Sequence, residues 1–146
     1  MAILPNARFD ALPTELAAAS DALVPFIGER AVTLFAYAIA DESGALVPSV
    51  YFRRILVDSG EDPNQPQVTE AEQLLVDWGR SIARSPFTNG GEFATRVEGA
   101  FSEPLRLLLV TFAAQVIAAS VFTTVAHIPL DDSLYPYRRV GDSRTA

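Results

Sequence analysis

The 146-residue chain contains no cysteine, a single histidine, a single methionine and a single tryptophan. Without cysteine it cannot form disulfides, cysteine-ligated metal sites, redox dithiols or a thiol nucleophile. One histidine cannot complete a closed zinc site, so the sequence predicts neither a metal nor a cofactor. These absences remove most redox and metal chemistry before any residue that is present is considered.

Basic residues are also scarce, since 11 Lys and Arg stand against 18 Asp and Glu, a formal net charge of −7. Phosphate backbones and anionic lipid surfaces repel such a chain, so nucleic acid and membranes are not expected partners. Gly90 and Gly91 form no phosphate-binding loop, because the lysine and the spacing of that motif are missing. The N-terminus lacks the unbroken apolar run of a signal peptide, and a cytoplasmic protein is expected.

Sustained strand alternation is missing as well, and apolar residues recur instead at helical spacing. The pattern predicts an all-α fold, a single-domain bundle of about six helices over residues 1–146. The expected helices are 14–27 with Thr14 as cap, 29–42, 47–59, 69–84 with a Thr69/Glu72 capping box, 93–100, and a last one capped by Ser102 that ends at His127.

The last helix contains the uncharged run LLLVTFAAQVIAASVFTTVA at residues 107–126. Its length suits a membrane span, but its polar residues and the lack of a basic cluster beside it favour a buried helix. The rest of so small a chain cannot cover this helix on all sides, so a second subunit is expected to complete the cover. The sequence therefore predicts a homo-oligomer and no membrane span.

Two phrases in this order of helices carry a family resemblance. The phrase TEAEQLLVDWGRSIARSP at 69–86 and the run FSEPLRLLLVTFAAQVI leading to HIPLDD resemble the alkylhydroperoxidase D and carboxymuconolactone decarboxylase superfamily. The resemblance covers residues 29–132 and leaves 1–28 as an N-terminal helical arm and 133–146 as a tail. It implies an alkylhydroperoxidase D-like bundle that assembles with itself, in trimers or hexamers.

The peroxidase members of that family carry C-x-x-C-x-x-x-H at the start of a helix, where this chain has ALVPSVYF. By resemblance the cysteine positions fall on Ala45 and Pro48, the histidine position on Phe52, and a preceding glutamate position on Thr33. Peroxide reduction of that kind needs a thiolate, a resolving thiol and groups that move protons. The chain is therefore predicted not to be a thiol peroxidase.

The resemblance also implies where a pocket would lie. Its lining would be apolar and aromatic with a few hydroxyls, which suits a hydrophobic small molecule. The same replacements also describe a site converted to ordinary core. The implied lining residues are Thr33, Tyr37, Ala45, Pro48, Tyr51, Phe52, Ser120 and Thr123.

Two functions stay open at this point. The first is a non-redox carboxymuconolactone decarboxylase-like protein that binds a hydrophobic small molecule or serves as an oligomeric structural or accessory protein. The second is a cofactor-free lyase, isomerase or cyclase that acts on a hydrophobic acid or a polyketide-like substrate.

Tyr51 and His127 are the candidate catalytic residues of such an enzyme, because cofactor-free proton transfer needs a group near its operating pKa. Each has a structural alternative. Tyr51 can be a buried ring with one hydrogen bond, and His127 can cap the last helix, whose dipole favours a cation at that end. Asp41 and Glu42 also end a helix, and they are expected to be solvated.

Overall fold

The computed structural model describes residue 9, residues 11–87, residue 91 and residues 93–139. Within these ranges the chain is helical and contains no strand, so the all-α prediction is confirmed. Residues 1–8 and 10 of the predicted arm and residues 140–146 of the predicted tail lie outside the described residues. The helices are α1 (Thr14–Ile27), α2 (Glu29–Glu42), α3 (Leu46–Asp58), α4 (Glu70–Arg84), α5 (Ala94–Ala100), α6 (Glu103–Val125) and a 3₁₀ helix at Asp132–Tyr137.

Two helix starts follow the predicted capping residues. At α4, the Thr69 hydroxyl accepts from the Glu72 backbone N–H at 3.2 Å, and the Glu72 carboxylate accepts from the Thr69 N–H at 2.9 Å. At α6, the Ser102 hydroxyl accepts a backbone hydrogen bond from the first turn. The predicted Thr14 cap is wrong, because Pro13 takes the cap position with φ −54° and ψ 153°, and Thr14 is already helical.

α2 is the central helix of the bundle. Every residue from Ala31 to Ala40 is buried, and the helix packs against α1, α3, α4 and α6. Phe35 stacks with Trp78 of α4 and Phe112 of α6, at ring-centroid distances of 5.8 and 6.1 Å. Since a helix that is apolar on all sides is stable only when surrounded, the other elements are arranged around α2.

At Gly79 of α4, no side chain stands between α4 and α2. A Cβ at Gly79 would lie 3.1 Å from Cδ1 of Phe35 and 3.2 Å from Cγ1 of Ile39. Both side chains are fully buried, and Phe35 is held between two other rings. A Cβ at Gly79 would therefore require one of these buried side chains to shift by a few tenths of an ångström, and glycine avoids that shift.

α6 is only partly covered by the rest of the described chain. Its outer face consists of residues that recur every three or four positions and that are exposed. Among the described residues α6 is also the one helix long and apolar enough to cross a membrane, and 33% of its most apolar 18-residue window is buried. The outer face comprises Leu107, Val110, Thr111, Ala114, Ala118, Val121, Phe122 and Val125.

Gly79→Ala is expected to destabilise the protein by about 1 kcal/mol, because overpacking of about 1–3 kcal/mol exceeds a gain of about 1 kcal/mol in helix propensity. Gly99→Ala in α5 is the matched control, since a Cβ at Gly99 meets nothing within 4 Å. The control is expected to be neutral or to stabilise by up to about 1 kcal/mol. Urea unfolding measures both changes, and equal stability of the two variants would contradict the close approach.

Candidate functional site

The first turns of α3 place the implied peroxidase positions in the core. Ala45 precedes the helix, Pro48 lies in its first turn, and Phe52 follows one turn later. All three are buried. Proline is tolerated in a first turn because the backbone N–H groups there have no partner within the helix. This segment therefore presents apolar packing surface where the resemblance implies a pocket.

The Tyr51 ring is enclosed by other side chains. Phe9 and Phe52 meet it edge to face, each with ring centroids 5.4 Å apart. The guanidinium of Arg54 lies over it, 5.1 Å from the ring centroid. Tyr51 itself is 8% exposed. Its ring thus has aromatic and cation–π partners on several sides, the arrangement of a packed core aromatic.

Three of the implied pocket hydroxyls bond to their own helices. Thr33 donates to the Glu29 carbonyl at 2.9 Å. Ser120 donates to the Val116 carbonyl at 2.8 Å, and Thr123 donates to the Ala119 carbonyl at 2.8 Å. Each of these hydroxyls therefore donates its hydrogen within its own helix and does not have it free to donate to a ligand.

The implied pocket is divided among separate places. Thr33 borders a cavity of about 260 Å³ beside α3, whereas Tyr37 borders a cavity of about 310 Å³ beside α4. Two further cavities lie between α4 and α5 and beside the 3₁₀ helix. None of these four cavities is lined by the remaining implied residues, which are Ala45, Pro48, Tyr51, Phe52, Ser120 and Thr123.

His127 lies just after α6 and has a left-handed backbone, with φ 55°. Its N–H donates to the Thr124 carbonyl at 3.3 Å, and the Ile128 N–H donates to the Thr123 carbonyl at 3.0 Å. These are the two bonds of a Schellman motif, which satisfies the last carbonyls of a helix. The imidazole is exposed, so it is the backbone of His127 that caps α6.

Asp41 and Glu42 are partly exposed, and both are also ion-paired, which the sequence did not predict. Nη1 of Arg80 lies 3.0 Å from Asp41 and 3.4 Å from Glu42. Nε of Arg84 lies 3.2 Å from Glu42, and Nη1 of Arg139 lies 3.2 Å from Asp41. These guanidinium groups come from α4 and from the end of the described chain. They offset the unfavourable interaction of two carboxylates with the C-terminal end of the α2 dipole.

Arg30 joins three segments and was missed by the sequence reasoning. Its guanidinium donates to the Glu61 carboxylate and to the Gln67 carbonyl, and it pairs with Glu72. Hydrogen bonds with Glu61 and then Glu72 raise the pKa of Arg30. One signal could have found it, because a cation in the first turn of a helix opposes the dipole and needs a partner.

Arg30 also lowers the pKa values of the two carboxylates that it contacts. The hydrogen bond from Arg30 lowers the pKa of Glu61 below its ordinary value. Burial alone raises the pKa of Glu72, but hydrogen bonds from Arg30 and from Thr69 lower it by more, so the net shift is downward. The folded protein therefore binds fewer protons here than the unfolded chain, and this contribution to stability is present above the ordinary pKa of 4.5.

Arg53 makes a second connection to the loop that follows α3. Its Nη1 donates to the Tyr37 hydroxyl oxygen at 3.1 Å and to Oδ1 of Asn64 at 2.9 Å. Tyr37 is 5% exposed. A hydroxyl that accepts from a cation is polarised to donate its own hydrogen, so the Tyr37 hydroxyl keeps the capacity to donate one further hydrogen bond.

The chain was compared with protein families, with characterised proteins and with solved structures, and nothing matches it. The family resemblance therefore depends on the sequence phrases quoted above. The arrangement of side chains has to supply the argument for function.

His127→Gly is expected to stabilise the protein by about 0.5–1 kcal/mol, because glycine adopts positive φ without the cost that other residues bear. Gly60 occupies the equivalent position after α3, with φ 85°, and Gly60→His is expected to destabilise by about 1 kcal/mol. Thermal unfolding of both variants tests this exchange. Destabilisation by His127→Gly would mean that the imidazole makes a contact worth more than the backbone strain.

Arg30→Gln is expected to lower stability clearly at neutral pH and by less in acid. The difference from the unaltered protein should shrink as the pH falls below 4.5, because protonated carboxyls no longer gain from the guanidinium. Urea unfolding between pH 7 and about pH 3 measures this change.

The control for that series is Arg96→Gln. The Arg96 guanidinium lies over the Phe93 ring, 5.6 Å from its centroid, so the cost of its removal should not depend on carboxylate titration. A pH-independent loss in Arg30→Gln would show that its carbonyl contact, and not its carboxylate pairs, carries the stability.

Proposed function

We propose that this protein is a homo-oligomeric structural or accessory protein on an alkylhydroperoxidase D-like helical scaffold, without thiol peroxidase activity. The scaffold part of the proposal rests on the resemblance of residues 29–132. The exposed apolar face of α6 is the single observation that carries the oligomeric role. The packing around Tyr51 supports a core, and not a hydrophobic ligand pocket, at the implied site.

The lyase or isomerase alternative receives less support from the side-chain arrangement. It would use Tyr51 and His127 together in proton transfer. Tyr51 is enclosed by rings, whereas His127 is exposed beyond the end of α6. Among the described residues no hydrogen bond joins the two side chains. A shared catalytic site would require rearrangement of the packing around Tyr51.

The shape of the α6 outer face favours a second copy of the chain as its partner. Leu107 and Val110 make one end bulky, and Val121, Phe122 and Val125 do so at the other. Its middle contains only small side chains, those of Thr111, Ala114 and Ala118.

Two such faces can cross at the alanines, where small side chains let the backbones approach closely. The helices diverge away from the crossing, and the bulky ends fill the widening gap. An antiparallel crossing also aligns opposite ends of the two helix dipoles. The face is self-complementary under a two-fold rotation, the commonest symmetry of homo-oligomers, and larger assemblies can be built from such pairs.

The apolar area gives a free-energy gain comparable to the cost of association, so assembly is expected to depend on protein concentration. From Leu107 to Val125 the face runs for about 27 Å at 1.5 Å per residue. Its five large apolar side chains are each about half exposed, and burying each remainder is worth about 1 kcal/mol. Two copies together gain about 10 kcal/mol, against an association cost of about 4–15 kcal/mol.

Val121→Glu is expected to shift the protein to monomer, because burying an unpaired carboxylate at the contact costs several kcal/mol. Val121 is 57% exposed, so the substitution should leave the fold intact. Sedimentation velocity over a range of protein concentrations measures the mass, and circular dichroism reports the helices.

The matched control is Val57→Glu on α3, since Val57 is also an exposed valine, at 40%, but lies on another helix. This variant should assemble like the unaltered chain. An unaltered protein that is monomeric at every concentration, or one that stays in solution only with detergent, would contradict the proposal. Equal dissociation of both variants would show that charge and not the α6 face decides assembly.

A further inference from the structure

A candidate ligand-binding cavity lies between α2, α4 and the loop that follows α3, and no residue of α6 lines it. It is a cavity of about 310 Å³, at the lower end of the range of small-molecule pockets. The central helix contributes Tyr37 to it, α4 contributes Gln73 and Arg80, and the loop contributes Asn64 and Gln65. Polar groups from three segments therefore converge on one space.

The loop over this cavity is held in place from both ends. Arg30 binds Glu61 at its start and the Gln67 carbonyl near its end. Between these points Arg53 donates to Asn64, and the buried Pro63 restricts the backbone. The space beneath the loop is thus preformed, and a ligand would not have to order the loop on binding.

Among the four cavities named above, this one differs in the residues of its lining. It contains Arg80 and no carboxylate. The three other cavities each contain at least one Asp or Glu in their lining. Both contacts from Arg80 to Asp41 and Glu42 use Nη1, and neither carboxylate lines the cavity. The lining is accordingly richest in hydrogen-bond donors: a guanidinium, a phenol and side-chain amides.

The rest of the wall is apolar. It would enclose the body of a ligand while the donors bind its acceptor atoms, the usual division of a small-molecule site. The apolar lining residues are Leu34, Ala38, Pro63, Pro66, Val68 and Val76.

We propose that this cavity binds a small carboxylate with an apolar body, with the carboxylate oxygens accepting from Tyr37 and Arg80. A carboxylate suits donors of this kind because charge-assisted hydrogen bonds are the stronger ones. The site is separate from the α6 outer face, so it goes beyond the proposed assembly and can be tested independently of it.

The test uses benzoate as the carboxylate probe and benzamide as its neutral counterpart of similar shape. Benzoate titrated into the isotopically labelled full chain should give saturating shifts in the NMR amide signals of Ala38, Gln65 and Val76. Benzamide should bind at least about tenfold more weakly, the factor expected for loss of a charge-assisted hydrogen bond.

Two variants locate the binding. Val76 is a half-buried residue of the cavity wall, and Val76→Phe should fill the cavity and abolish the benzoate shifts. This variant should still unfold as cooperatively as the unaltered chain. Tyr37→Phe should weaken benzoate about tenfold. The matched control, Tyr135→Phe, alters a tyrosine that does not line this cavity and should change nothing.

Three outcomes would overturn the proposal. The first is the absence of saturating shifts with benzoate, and the second is equal binding of benzoate and benzamide. The third is unchanged benzoate binding in the folded Val76→Phe variant. An altered mass in sedimentation would concern the proposed assembly alone, so failure of either proposal can be told from failure of the other.

Discussion

The stacking of Phe35 between Trp78 and Phe112 determines how the helices are placed. Phe35 is at the middle of a helix whose residues from Ala31 to Ala40 are all buried. This ring connects α4 and α6 to α2 through its two stacked partners. A Cβ at Gly79 of α4 would lie only 3.1 Å from it. The buried aromatic rings and the glycine at position 79 thus determine how the helices around α2 are placed.

Because α2 is buried along most of its length, the charged side chains lie at its two ends and at the loop beside it. Arginines meet the acidic residues there: Arg30 at the start of α2, Arg80 at its end. In a chain with an excess of carboxylates, each guanidinium serves as a connection between segments, since it can donate to several acceptors at once. The loop beside Tyr37 is held in place by Arg30 and Arg53, whereas Tyr51 packs against the rings of Phe9 and Phe52.

Local signals predicted the helices well where one residue decides a boundary. The Thr69/Glu72 box and the Ser102 cap were correct because capping depends on neighbours three positions away. The cap at Thr14 was wrong because Pro13 could replace it. The sequence could predict which helices carry the residues of the implied pocket. It could not predict whether their hydroxyls face a cavity or bond to their own backbone, because local sequence does not determine those rotamers.

The sequence by itself determined the helical class, the absence of cysteine thiol chemistry, and the long uncharged run of α6. Composition and 3.6-residue periodicity are properties of the chain, so they needed no coordinates. Only the tertiary structure decided that Asp41 and Glu42 are paired, that Phe9 packs on Tyr51, and that a cavity rich in donors lies beside Tyr37. Those facts join residues far apart in sequence, and such contacts arise only when the packing of several helices brings the residues together.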